Sequence, residues 1–337
     1  MEPYQYRSRL HGSQYGGITE GKLLSGLAGH NICLDYFGSP SAEEAKQGLS
    51  QHGEAPNSRW VRRRRSVKGS GAALSFAVRL PAARLLFERE IAVHDAEPVV
   101  YFRETVTNLG KADHFFHWTQ HVTLGPPFLE KDQVRVSLPG TRGMTFPHGY
   151  DEGKGLLASG EEFTWPLAPK APTGNVDLSQ PLSQEGLGYV AGMLLDANEE
   201  LGYVAAVNLH RHLLIAYCFR RADFPWVAMW EENKAIEAVP WQSSTVALGL
   251  EFGTTPLPVP RRENFVDRGP LFGVPTVACV PARGSRTVGY LALLARLPDG
   301  FGAVKKITRE GDSIVISSSA RDPVRIKASR LGETLHL

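Results

Sequence analysis

The chain has 337 residues, 42% of them hydrophobic and 21% charged, with a formal net charge of +2. That composition excludes general disorder, and its near-neutral balance gives no overall drive toward nucleic acid or an anionic membrane. No apolar run approaches the roughly 18 residues of a membrane-spanning helix.

In chain order, the first element expected is a short helix over Ser41–Gly48, with Ser41 as N-cap and Glu44 as its capping-box partner. Strands then follow one another with short turns: Trp60–Lys68, Ala72–Leu80, Arg84–His94 and Pro98–Asn108. Within the last of these Val100, Phe102 and Val106 alternate with Arg103, Thr105 and Thr107, the period of a half-buried antiparallel strand. Asn108-Leu109-Gly110-Lys111 is turn chemistry, and Phe115–Leu124 resumes as a strand. Further strands are expected at Val134–Leu138, Gly188–Asp196, Gly202–His210, His212–Arg220, Trp226–Glu232, Thr245–Phe252, Arg286–Leu297, Ser313–Ser318 and Val324–Ala328. Residues 139–187 read as a long excursion over a sheet edge or site mouth, and 256–285 as irregular. The stretch from Arg286 to Leu337 is expected to close the sandwich. This density of strands, with 34 Gly and 23 Pro, argues for one all-β domain over residues 1–337, a large antiparallel sandwich or barrel rather than βαβ units.

Other features bound the function. The run Arg62-Arg63-Arg64-Arg65 lies in a strand-like segment, so alternation sends its charges to both faces; a solvated strand with cross-strand ion pairs is expected. Cys33, Cys218 and Cys279 are odd in number and far apart, which suggests neither a zinc site nor a disulfide framework. Met1–Tyr6 lacks the apolar core of a signal peptide, so a reducing cytoplasm is expected.

Three separated segments could carry chemistry. His52 sits in Gln51-His52-Gly53, at a sharp bend before Trp60; His121 ends Thr119-Gln120-His121; Glu251 follows Leu250 and precedes Phe252 and Gly253. His117, Thr119 and His121 share one face of a regular strand. Imidazole and carboxylate suit proton transfer because burial and neighbours can bring both toward neutral pKa values. Trp118, Trp226, Trp230 and Trp241 lie near these segments and could stack on a sugar, while Glu231 and Glu232 offer acceptors for its hydroxyls.

In their order these segments resemble the galactose mutarotase-like proteins, or aldose 1-epimerases. The resemblance rests on His52-Gly53 with Trp60, on Thr105-Val106-Thr107-Asn108, on Thr119-Gln120-His121 and on Leu250-Glu251, spread over residues 45–255. It implies a large antiparallel β-supersandwich in which His121 is the general acid on the ring oxygen, Glu251 the general base on the anomeric hydroxyl, and His52 a sugar-binding group. The family's asparagine before the middle histidine is Gln120 here, and its hydroxyl-binding aspartate has no clear counterpart beyond Glu231 or Glu232. The N-terminal stretch is unlike the family's opening strands, as if strands were missing there, and Arg59 is the substitute for the binding arginine they carry.

The expected activity is therefore interconversion of sugar anomers at His121 and Glu251, with His52, Arg59, Trp118, Trp230 and Glu231 binding the substrate, and with no cofactor or metal because only protons move. The expected partner is a monosaccharide or modified sugar, without nucleic acid or membrane, and an open sheet edge could be covered in a homodimer. Two alternatives share the scaffold: a non-catalytic carbohydrate-binding protein, and a hexose-phosphate epimerase using Arg59, Arg62 and Arg64. A lyase would need a tyrosine beside histidine, for which Tyr150 is the candidate.

Overall fold

The computed structural model describes residues 29–238, 241–267 and 269–336. Two large antiparallel sheets dominate. One has eight strands in the order β2-β3-β4-β5-β19-β15-β14-β8: Val61–Lys68, Gly71–Leu80, Leu85–His94, Val99–Asn108, Ser285–Arg296, Leu213–Arg220, Leu201–Asn208 and Val134–Ser137. The other has nine, β1-β7-β17-β16-β13-β9-β10-β11-β12: Gly29–Cys33, Thr119–Leu124, Val246–Gly253, Trp226–Asn233, Leu187–Leu195, Gly140–Thr145, Glu162–Thr164, Leu167–Pro169 and Asn175–Asp177. Short strands β6 (His114–Phe116) and β18 (Ala278–Val280) pair separately. The all-β antiparallel sandwich expected from the sequence is thus observed.

The two sheets face each other across one core. Phe87, Phe102, Phe219 and Tyr290 from the eight-stranded sheet meet Val122, Met229, Leu250 and Phe252 from the other. Phe219 and Phe252 stack across the gap with centroids 4.4 Å apart. Inside this apolar layer lies one dense polar network. Glu104 accepts hydrogen bonds from Arg89, Trp118, Gln120 and Tyr290, at 2.6, 2.9, 2.7 and 2.7 Å. The Gln120 side-chain oxygen in turn accepts one from Arg89 at 3.1 Å. A buried ion pair of this kind is tolerated because both carboxylate oxygens are satisfied; removing one partner costs roughly 3–5 kcal/mol.

The C-terminal segment departs from expectation. Only β19 enters a main sheet, between β5 and β15; β20 (Val304–Glu310), β21 (Ser313–Ser318) and β22 (Val324–Lys327) form a third sheet. Together with helix α2 (Leu331–Leu335) they cover the outer face of the eight-stranded sheet and bury Tyr101, Tyr203, Leu214 and Leu291 under Ile307, Ile314, Ile316 and Leu335. The half-buried reading of β5 needs the same correction: Val99 and Tyr101 are buried because this second core covers the face that alternation assigned to solvent.

Local features follow the sequence closely elsewhere. Helix α1 is Ala42–Lys46, and both halves of the Ser41–Glu44 capping box are present, at 3.2 and 2.8 Å. β2 is the exposed outermost strand of its sheet, and its register shifts between Arg62 and Arg64. Arg62–Arg65 are solvated there, but the expected cross-strand ion pairs are absent among the described residues. Residues 139–187, expected as an excursion over a sheet edge or site mouth, supply β9–β12, which extend the nine-stranded sheet, and between β9 and β10 a loop that reaches the site. The expected strand Phe115–Leu124 is broken at His117-Trp118 into β6 and β7.

Candidate active site

Directly opposed residues in an antiparallel sheet share a face. On β7 and β17, His121 is opposite Glu251; on β17 and β16, Glu251 is opposite Ala228 and Gly249 is opposite Trp230. His121, Glu251 and Trp230 therefore project from the face of the nine-stranded sheet that turns away from the core. The small Ala228 and Gly249 leave space between them. Gln120, Leu250 and Glu231, each one residue away, project into the sandwich.

Above this row lies an open cavity of about 330 Å³, at the lower end of the range for small-molecule sites. Its floor is His121 and Glu251; its walls include Phe37, Tyr150, Trp230 and Trp241, and His52 and Gln51 enter from the segment between β1 and β2. His121 Nε2 is 3.3 Å from Glu251 Oε1, and His121 Nδ1 is 3.1 Å from the Thr123 hydroxyl. The His52 ring meets the His121 ring edge-on, with centroids 5.3 Å apart. Both histidines and the glutamate are buried beneath the opening.

Burial sets the protonation of this group. It pushes the Glu251 carboxyl well above the usual carboxylate range and lowers His121 to about 4. His52 is held well below the usual imidazole range by burial first and by the proximity of His121 second. Burial thus favours the neutral form of the pair, a protonated carboxyl beside a neutral imidazole, over the ion pair, and one proton can move between them across a single contact.

The rim is organised by Glu232. One of its oxygens accepts the Tyr150 hydroxyl at 2.7 Å, and the other accepts the backbone N–H groups of Ala235 and Ile236 at 2.6 and 3.0 Å. Trp230 Nε1 donates to the Tyr150 oxygen at 2.8 Å. Burial leaves the Glu232 carboxyl above its ordinary value despite these donors. The sides of the site are thus fixed by side-chain hydrogen bonds rather than by loop packing alone.

Four of the residues expected at the site, His52, His121, Trp230 and Glu251, converge on this cavity. Three do not. Trp118 is fully buried in the core and donates to Glu104, because it stands in the bend before β7. Glu231 faces the sandwich interior, where the Leu182 N–H donates to it at 2.8 Å. Arg59 is exposed, just before the outermost strand β2, and does not line the cavity. The carboxylate on the cavity side is Glu232, which strand alternation from Trp230 would have identified. Phe37 carried no sequence signal, since a loop of 34–38 has no period. Tyr150, considered only for lyase chemistry, is a wall of the cavity.

No protein-family model matches the sequence, and a search of curated proteins finds no similar sequence. Solved structures do match. A candidate aldose 1-epimerase from Klebsiella pneumoniae subsp. pneumoniae MGH 78578 aligns over 87% of this chain and 70% of its own, with a TM-score of 0.61 and 16% identity. A galactose mutarotase-like protein from Clostridium acetobutylicum aligns over 80% of each chain, with a TM-score of 0.54 and 14% identity. A further candidate aldose 1-epimerase, from Escherichia coli K12, gives 0.54 and 13% identity over 80% of this chain and 84% of its own. At such identities the likeness is one of fold: this chain is built as a galactose mutarotase-like β-supersandwich.

Proposed function

We propose that the chain interconverts the anomers of a neutral monosaccharide by proton transfer at His121 and Glu251. The observation that carries this reading is their 3.3 Å contact on the floor of a cavity walled by Tyr150, Trp230 and Trp241. Aromatic faces suit the C–H faces of a pyranose, and the polar edges suit its hydroxyls.

The chemistry needs one proton delivered and one removed. With the pair charged, His121 Nε2–H protonates the ring oxygen while Glu251 takes the anomeric hydroxyl proton. The bond between C1 and the ring oxygen breaks, and an open-chain aldehyde forms. The pair is then neutral, the form that burial favours. After rotation about C1–C2, Glu251 returns its proton to the carbonyl oxygen, His121 takes back the proton of the attacking hydroxyl, and the ring closes on the other face. No net proton is gained or lost, so the same pair serves every cycle.

The described cavity lining holds no Arg or Lys, while Glu251 and Asp151 lie in it. That favours an uncharged sugar over a sugar phosphate, which would call for a cationic cluster. The test is polarimetry or NMR of freshly dissolved α-glucose and α-galactose. Relaxation to equilibrium accelerated by the protein supports the reading; saturable binding without acceleration replaces it with a carbohydrate-binding role.

A further inference from the structure

We infer that Gly38 and Cys33 hold His52 as the neutral Nε2–H tautomer, making it a fixed hydrogen-bond donor toward the cavity, with Cys33 as a positioning residue. The inference deepens the reading of the cavity as a sugar site, but the tautomer itself does not depend on any activity.

Two donors converge on His52 Nδ1. The backbone N–H of Gly38 lies 3.3 Å from it, and the Cys33 sulfur lies 3.2 Å from it. A backbone N–H can only donate. A hydrogen on Nδ1 would stand against the Gly38 hydrogen, so Nδ1 keeps its lone pair. Burial pushes the Cys33 thiol well above its ordinary range, so its S–H survives at neutral pH and can make the second donation. A neutral imidazole with a bare Nδ1 carries its proton on Nε2. That nitrogen has no hydrogen-bond partner among the described residues, and His52 lines the cavity.

The local backbone enforces the same arrangement. The His52 N–H donates to the Gly38 carbonyl at 2.8 Å, so the two residues are braced in both directions. Gly38 stands at φ +105°, and a Cβ there would fall 2.3 Å from the Pro258 carbonyl oxygen. His52 itself is at φ 59°, a left-handed conformation unusual for a residue with a side chain. Strained backbone of this kind persists where the surroundings over-determine it. Cys33 is opposite Thr119 on β7 and shares the site face of β1 with Asn31, so its thiol is delivered from a strand rather than a loop.

The consequence is chemical. A fixed Nε2–H recognises an oxygen lone pair of the bound sugar and cannot remove a proton from it. It also leaves His52 uncharged when His121 takes up its proton, so the two adjacent rings do not repel.

The experiment uses the whole chain with ¹⁵N-labelled histidine and no sugar. Long-range ¹H–¹⁵N correlation spectra are recorded from pH 6 to 9, and the His52 signals are assigned by their loss in His52→Asn. The expected result is an unprotonated Nδ1 and a protonated Nε2 throughout. In Cys33→Ala the Nδ1 resonance should shift, as the unprotonated nitrogen keeps the Gly38 donor and loses the thiol, and in Cys33→Ser it should return. A protonated Nδ1 in the parent protein overturns the tautomer. A Cys33→Ala spectrum identical to the parent overturns the role of Cys33. Neither result depends on whether the protein turns over a sugar, so failure here is separable from failure of the functional reading.

Discussion

Tyr150 and Glu232 are 82 residues apart in sequence and meet at 2.7 Å on the rim of the cavity. Through this contact one buried carboxylate ties together the loop after β9, strand β16 and the backbone at Ala235 and Ile236. Tyr150→Phe removes the donor to Glu232 and the acceptor for Trp230 together. Sugar affinity is expected to fall about 5- to 10-fold, the worth of roughly one net hydrogen bond, with little change in the rate at saturation. A KM and kcat unchanged from the parent would place Tyr150 outside the binding surface.

Gly188 tests the same wall from beneath. A Cβ on this residue would fall 2.3 Å from the Tyr150 ring and 2.6 Å from the Glu231 backbone oxygen. The strand cannot yield, so the ring must. Gly188→Ala should weaken sugar binding at least as much as Tyr150→Phe does, and should lower the Tm as well. Calorimetric titration and thermal unfolding read the two effects.

Glu251→Gln keeps the shape of the cavity floor and removes the transferable proton. Anomer relaxation should slow by about 10²- to 10⁴-fold, the range for loss of general acid/base catalysis, while the sugar still binds. Polarimetry and titration on the same preparation separate rate from binding.

Trp118 distinguishes core from site. Trp118→Phe deletes its 2.9 Å hydrogen bond to Glu104 deep between the sheets. The variant should lose about 1–3 kcal/mol of stability in urea unfolding, with sugar affinity unchanged. A large loss of affinity at unchanged stability would return Trp118 to the binding surface.

Glu231 gives a pH dependence with a definite sign. Burial raises its carboxyl from the ordinary 4.5 to about 7. Between those values the folded chain holds a proton that the unfolded chain has released. Its contribution to stability is therefore complete below about pH 4.5 and is lost as pH rises to about 7. Glu231→Gln has no such proton. The unfolding free energy of the variant relative to the parent should climb by about 3 kcal/mol across that window and then stay level. Urea titrations from pH 4 to 8 measure it; a flat difference means the carboxyl titrates like an exposed one.

The fold was legible in the sequence wherever strands show two-residue alternation or a strong β-forming run. Most expected strand ends lie within a residue or two of those observed, and the Ser41–Glu44 cap is present as its sequence pattern implies. Other strands lack such a signal. β1 reads Gly-His-Asn-Ile-Cys, β20 is half charged, and β9–β12 are short and rich in Gly, Pro and Thr; what makes them strands is the neighbour they pair with. At the site, His52, His121 and Glu251 were recognisable as a set, but which side of the sheet each neighbouring residue faces was not. Parity with Trp230 puts Glu232, not Glu231, on the cavity side of β16. Nothing in the local sequence of Arg59 directs it to a cavity, and it is exposed.

The charged cluster inside the sandwich acts as an indexing device for the chemistry outside it. Only one alignment of β7 lets the Gln120 amide reach Glu104 and Arg89. Sliding that strand by one residue would thrust His121 into the hydrocarbon layer and expose the amide at the cavity floor. Substitutions at Arg89 or Glu104, which lie outside the cavity lining, are therefore expected to weaken the proposed sugar binding by misaiming a strand, while much of the β-sheet content survives.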